Sequence, residues 1–314
     1  MRNAPSSRGF ASRPLRSLPD AKSIYTPAWK DRLHNYFSRG RQFAAASGYW
    51  AFDFSRQWAK HRRAVAQELR LVEQISHWMP AAGRRVLVLG SWLGAEAIAY
   101  ALCGADVTAV DLDAEALALS EELAARFGTS IRTRSRDAAT TSLPSGHFDL
   151  VSCSQVLEHV PPDRQPAIVA EMWRVCRSGG LFWIDTPNQL ALCDQHDTGL
   201  YFVHWLPRAL KTRLARWLGR DVPTREPGFG YEQVGLHYYL SYFSLVRMLQ
   251  GLGRFEILSR YRGYASVAHY AACRRRAGRA GPLFPLKLAA MRAAMRGWNF
   301  NWMNDIRLVV RKRH

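Results

Sequence analysis

The sequence predicts an α/β fold, a doubly wound and mostly parallel sheet with helices on both faces. Three observations carry that expectation. An apolar run at residues 86–89 and strand-like stretches at 107–110, 148–153 and 181–185 alternate with helical patterns. Gly90 and Gly94 follow the first run and lead into an alanine-rich stretch at 95–102, which favours helix. The second run ends on a carboxylate, Asp111.

The unit over 86–111, strand–glycine loop–helix–strand–acid, has specific chemistry. Glycines let a backbone turn tightly and approach a ligand closely. A helix N-terminus offers free N–H groups. An acid that ends the second strand can accept bonds from both ribose hydroxyls. The unit therefore suits an adenosine-like ligand, gripped by Asp111 and covered by the loop. The nicotinamide pattern G-x-G-x-x-G is absent; the chain reads G-S-W-L-G, through Gly90, Ser91, Trp92, Leu93 and Gly94.

With these residues the chain resembles the class I S-adenosylmethionine-dependent methyltransferases, in particular the small-molecule branch that includes the ubiquinone-pathway O-methyltransferases. Three later stretches extend the resemblance. Arg136-Asp137-Ala138 follows a third short strand. Residues 148–160 end in Leu157-Glu158-His159-Val160, like the family's fourth strand and its loop. Residues 174–182, with Gly179 and Gly180, resemble the turn into its fifth strand. The resemblance covers roughly residues 60–190. It implies a seven-stranded Rossmann-like methyltransferase fold and S-adenosyl-L-methionine as cofactor. It places Gly90, Ser91, Trp92, Gly94, Asp111, Leu112, Asp137, Ala138, Ser154 and Gln155 around that cofactor. Two positions depart from the pattern. Val88 stands where the family has an acid, which removes one contact to the methionine end. Trp92 stands where it has a middle glycine, to stack over the site or narrow it.

Read in order, residues 1–23 are expected to be a disordered basic arm. Residues 24–80 are expected to be an N-terminal helical cap, aromatic throughout, with Tyr49 and Trp50 as candidate pocket residues. A helix over 114–127 is expected to be capped by Asp113 and stopped by Gly128. Pro161 and Pro162 break the chain, and Asp163 is expected to open the helix that runs to Cys176. Strand five should be residues 181–185 and strand six 255–258; Ser241 or Ser244 should cap a helix over 245–249. Residues 81–314 form the expected methyltransferase domain, with helical insertions at about 187–235 and 265–303.

Both insertions are basic. In the first, Leu210, Leu214, Trp217 and Leu218 recur at helical spacing among Arg208, Lys211, Arg213, Arg216 and Arg220. In the second, Arg274, Arg275, Arg276 and Arg279 cluster, and Leu286, Leu288, Met291, Met295 and Trp298 are interleaved with Lys287, Arg292 and Arg296. A cationic amphipathic helix can lie on an anionic membrane surface; packing on the domain is the alternative. In ubiquinone-pathway relatives the resemblance places membrane contact after strand five. Residues 194–207 are similar to a bacterial subgroup that modifies envelope sugars and lipids. Formal charge is +19, from 44 Lys and Arg against 25 Asp and Glu, which favours polyanionic partners. Five scattered cysteines show neither metal-ligand nor disulfide spacing. No run approaches the ~18 apolar residues of a membrane span, and the chain is expected in the cytoplasm, peripheral on the inner face of a membrane.

The expected function is methyl transfer to a small-molecule or lipid-linked acceptor, on an oxygen of a lipid, quinone or envelope saccharide. His159 is the first candidate base, with His196, His204 and His237 as alternatives, and Asp185 or Asn188 as acceptor ligands. Two other readings are a nucleic-acid methyltransferase, motivated by charge, and a non-catalytic cofactor-binding scaffold, motivated by Val88 and Trp92. Against the former, Ser154-Gln155-Val156-Leu157 stands where base-methylating enzymes carry Asn/Asp-Pro-Pro-Tyr/Phe.

Overall fold

A computed structural model describes residues 18–46, 54–194, 198–219, 237–294 and 305–313. Seven strands form one sheet in the order β3-β2-β1-β4-β5-β7-β6. These are β1 (Arg85–Leu89), β2 (Asp106–Asp111), β3 (Arg132–Ser135), β4 (Phe148–Ser154), β5 (Cys176–Thr186), β6 (Phe255–Ile257) and β7 (Ile306–Lys312). The first five run parallel; β7 runs antiparallel to both β5 and β6. The strand order reverses between β1 and β4, and ligands of open α/β sheets bind at such a switch point, beyond the carboxyl ends.

Alternation along β1 divides the core into two layers. Val86 and Val88 face a cluster with Leu69, Val72, Ile98 and Leu123. Leu87 and Leu89 face a second, with Ile168, Met172, Leu245 and Leu308. Successive strand side chains point to opposite faces, and burial on both explains why β1 is apolar from Val86 to Leu89. The first layer is covered by α1 (Ala21–Ile24), α2 (Pro27–Ala46), α3 (Phe54–Ile75), α4 (Ala95–Leu102) and α5 (Ala114–Arg126). The second is covered by α6 (Gln165–Val175) and α8 (Tyr242–Gln250). Between β5 and α8 lies α7 (Arg208–Trp217); α9 (Val267–Arg276) and α10 (Phe284–Ala294) fall between β6 and β7.

The caps are local. Asp113 accepts from the N–H groups of Glu115 and Ala116, at 3.0 and 2.9 Å, a contact type that contributes about 1 kcal/mol. Gly128 follows with φ +71°. Ser241, rather than Ser244, caps α8 by accepting from Ser244 N.

Three expectations shift. Asp20 caps a helix at Ala21–Ile24, and Ile24 is buried in the core, so the chain is ordered earlier than an arm over 1–23 allows; residues 1–17 lie outside the described residues. The helix before β5 starts at Gln165, after Arg164, because Asp163 is still in the turn that follows the two prolines. β5 begins at Cys176, not at 181. Register jumps from Phe148↔Cys176 to Leu150↔Leu181, so the glycine pair forms a bulge inside the strand. A Cβ on Gly180 would lie 2.6 Å from Cys176 Sγ and 3.0 Å from Asp149 O, which the bulge cannot accommodate. Tyr49, Trp50, His196, Arg220, Met295, Arg296 and Trp298 also lie outside the described residues.

Candidate active site

The loop after β1 is shaped by close approaches. Gly90 has φ +65°, and a Cβ there would lie 2.2 Å from Val156 Cγ2; Gly94 has φ +76°, and a Cβ there would lie 2.5 Å from Ser120 Cβ. Both need the absence of a side chain as well as the left-handed backbone. Between them Trp92 adopts φ +44°, the conformation that a middle glycine would take without strain. Its position is fixed on both sides. Its N–H donates to Asp111 Oδ2 at 2.7 Å, and its indole Nε1 donates to Tyr36 OH at 2.9 Å. Tyr36 in turn donates to Asp113 Oδ2 at 2.7 Å, and Phe37 meets the indole edge-on at 5.8 Å. Helix α2 thus straps the loop from above.

Asp111 ends β2 with both oxygens engaged, since Asp113 N donates to Oδ1 at 3.0 Å. Each carboxylate oxygen keeps a further lone pair for a ligand. Burial holds its carboxyl above the usual range, opposed by these N–H groups. Asp137 accepts from Ala139 N at 2.8 Å and from the Arg164 guanidinium at 3.0 Å. Gln155, with φ +56°, donates its N–H to Asp185 O at 2.7 Å. His159 Nδ1 lies 3.2 Å from His237 Nε2.

All of the residues placed around the cofactor from sequence, together with His159, line one cavity of about 700 Å³. It lies at the carboxyl ends of β1, β2 and β4, beneath α2 and α3. A second cavity of about 600 Å³ adjoins it between α3, the end of β5 and the segment that follows α9. Gln67, Glu68, Ser154 and Gln155 line both.

Asp185 belongs to the second cavity. Burial pushes its carboxyl up to about 6, against the pull of Arg307, with which it pairs at 3.1 Å. Asn188 serves the loop instead, accepting from Leu190 N and Tyr242 N at 3.1 and 3.3 Å. His204 is buried and paired with Ala191 O at 2.7 Å.

Glu68 and Glu96 were missed by the sequence reading. Val88 is buried in the core at the position of the absent acid. Ser152, its register partner on β4, donates to Glu96 from α4. A carboxyl is thus delivered beside that position by a helix rather than the strand. Glu68 comes from α3. Burial raises both carboxyls well above the ordinary range; the charge of Asp185 adds to the rise at Glu68, and that of Glu68 to the rise at Glu96. Helical spacing on α3 marked its apolar face only, so no sequence signal set Glu68 apart from its neighbours.

Residues 87–184 match the family model described as a methyltransferase domain. Over 180 residues the chain is 31% identical to the ubiquinone biosynthesis O-methyltransferase of Methylococcus capsulatus, covering 51% of this chain and 72% of that protein. The chain belongs to the S-adenosylmethionine-dependent methyltransferases. The protein of the same name from Pectobacterium atrosepticum is 30% identical over 169 residues, 50% of this chain and 67% of that protein. Among solved structures, an S-adenosylmethionine-dependent methyltransferase from Mesorhizobium loti aligns with a TM-score of 0.47 at 18% identity, covering 76% of this chain and 96% of that one. As a member of that family the protein is an enzyme that uses S-adenosylmethionine, built on a seven-stranded sheet with the antiparallel β7 beside β5.

Proposed function

We propose that this methyltransferase methylates a hydroxyl oxygen of a small-molecule acceptor, taken from a membrane surface and seated in the second cavity. The observation that carries the reading is the junction. Two cavities of ligand size meet at the carboxyl end of β4, and Glu68 is the one carboxylate among the described residues that lines both.

The residues of the first cavity fit S-adenosylmethionine. Ser91 has a buried hydroxyl without a hydrogen-bond partner, Asp111 has lone pairs to spare, and Leu112, Ala138, Val160 and Ile168 give an apolar wall. In this reading Asp111 takes the ribose hydroxyls, Asp137 and Ala138 border the adenine, and Ser154 and Gln155 border the methionine end. When bound, the cofactor supplies an electrophilic methyl carbon on a sulfonium. The chain must then hold the acceptor in line and take its proton. Glu68 is the proton acceptor in this reading, since burial brings it toward the operating pH. His159 borders the first cavity only and, paired with His237, orients the loop.

The acceptor class is supported by the relatives, which are named ubiquinone biosynthesis O-methyltransferases. Membrane contact is supported by α7, whose apolar edge faces outward: Trp217 is 80% exposed, and Tyr201, Phe202 and Trp205 are exposed just before it. No helix among the described residues is long and apolar enough to cross a membrane, so contact would be peripheral.

Calorimetry with S-adenosylhomocysteine tests the first cavity. Asp111→Ala should weaken binding at least about tenfold, the value of a lost charged hydrogen bond, while Asp111→Asn retains part of it. Methyl transfer to a prenylated catechol then tests Glu68. Glu68→Gln should lower kcat and abolish the fall in rate on the acid side, with unchanged S-adenosylhomocysteine affinity. Equal rates in the two proteins would remove Glu68 from the reaction.

A further inference from the structure

The wall of the second cavity is unevenly charged. Its carboxylates are Glu68, Glu73, Asp185 and Asp305. Three of these have cationic partners. Asp185 pairs with Arg307 at 3.1 Å, Glu73 with Arg276 at 2.6 Å and Asp305 with Arg262 at 4.0 Å. Arg276 and Arg262 reach two of them from outside the described wall, and of the wall's own arginines Arg307 serves the third. Burial pushes the Glu68 carboxyl up to about 7, so below that pH it carries less charge than an ordinary carboxylate.

Three wall arginines remain: Arg70 on α3, Arg274 on α9 and Arg279 beyond it. None forms a salt bridge among the described residues. Arg274 is the most informative. Its Nε is buried and has no hydrogen-bond partner. A buried guanidinium N–H without an acceptor is costly, and such groups are ordinarily paired. Cations in the last turn of a helix are favoured by its dipole. That accounts for Arg275 and Arg276, which are exposed. Arg274 differs from them in being half-buried and in lining the cavity, with an Nε that is covered and unpaired, as those of Arg126 and Arg208 also are.

We infer that the second cavity recognises an acceptor carrying a compact oxyanion, a phosphate or a carboxylate, held by Arg274 with Arg70 and Arg279. A guanidinium presents its N–H groups as a planar fork that matches both oxyanions. The anion would lie against the α9 side of the cavity. The hydroxyl to be methylated would lie at the other side, near Glu68 and Gln155. The inference rests on the second cavity being the acceptor site. It adds that the acceptor is anchored by charge as well as by its apolar part.

The test uses the full chain, with and without saturating S-adenosylhomocysteine, titrated calorimetrically with inorganic phosphate and, separately, with benzoate. Wild type should bind at least one of the two with a dissociation constant on the order of 1 mM. Arg274→Gln and Arg70→Gln should each weaken that binding at least about tenfold. Arg213→Gln, on the exposed face of α7, should leave it unchanged. S-adenosylhomocysteine affinity should be the same in all four proteins. Tighter phosphate binding points to a phosphorylated acceptor, tighter benzoate binding to a carboxylated one. The two variants lie on different helices, so misfolding of α9 in one does not decide the outcome. Absence of binding for both anions, or binding by the Arg274 and Arg70 variants as tight as that of wild type, would overturn the inference. Failure of wild type to bind S-adenosylhomocysteine would instead undo the assignment of the first cavity, and the anion titrations would still judge this one.

Discussion

Trp92 holds a left-handed backbone that costs a non-glycine residue on the order of 1 kcal/mol. The indole returns part of that cost through Tyr36 and Phe37. Through these contacts Trp92 ties the loop to α2. Tyr36→Phe cuts the tie without touching the loop backbone. It should destabilise the protein by about 1 kcal/mol in urea unfolding. It should also speed release of S-adenosylhomocysteine in stopped-flow experiments. An unchanged release rate would mean that the strap does not cover the cofactor. A tryptophan in a glycine position is visible in the sequence, but its partner, 56 residues away, is not.

In α7 the helical spacing expected from sequence is present, yet two of its cationic side chains, Lys211 and Arg208, turn inward. Lys211 is buried and donates to His237 O at 2.9 Å, and Arg208 donates to Tyr238 OH at 2.7 Å. Leu210, Trp217 and Leu218 face outward. Spacing fixes a stripe but not what the stripe faces, because that depends on which neighbour offers carbonyl oxygens or apolar surface. An outward apolar edge flanked by exposed Arg213 and Arg216 matches an anionic bilayer. Trp217→Glu should reduce flotation with phosphatidylglycerol liposomes several-fold at low salt, with no loss of S-adenosylhomocysteine binding. Undiminished flotation would exclude this edge of α7 as a membrane contact.

Over the molecule as a whole, buried titratable groups set how stability follows pH. His61 accepts from Trp29 Nε1 at 3.2 Å, and burial lowers it from 6.5 to about 4. Between those values the unfolded chain binds more protons than the native one. Stability therefore rises with pH across that window and is lost as pH falls through it, by about 3 kcal/mol at most. His61→Gln, which keeps an acceptor for Trp29, should flatten the acid limb of a urea-midpoint profile. Glu96 acts in the opposite sense. Its raised value means that the native chain binds the extra proton, so its contribution falls as pH rises above the ordinary carboxylate range. Glu96→Gln should therefore gain stability progressively toward alkaline pH. If its profile ran parallel to wild type, the Glu96 carboxyl would titrate alike in the folded and unfolded chain; relative loss of stability toward alkaline pH would mean that the fold stabilises its carboxylate.

The sheet, the glycine loop, Asp111 and the residues around the first cavity were legible in the chain because they are local. Strand ends, turns and caps are specified by a few consecutive residues, and parallel βα repeats permit few arrangements. The bulge at Gly179–Gly180 lay beyond that reach, since it depends on how β4 meets β5. So did Glu68, Glu96 and the inward Arg274. Glu68 and Arg274 stand among charged neighbours that look alike in sequence, Glu96 is the one charged residue of its helix, and in each case only packing separates a charge that water solvates from one that the interior must accommodate.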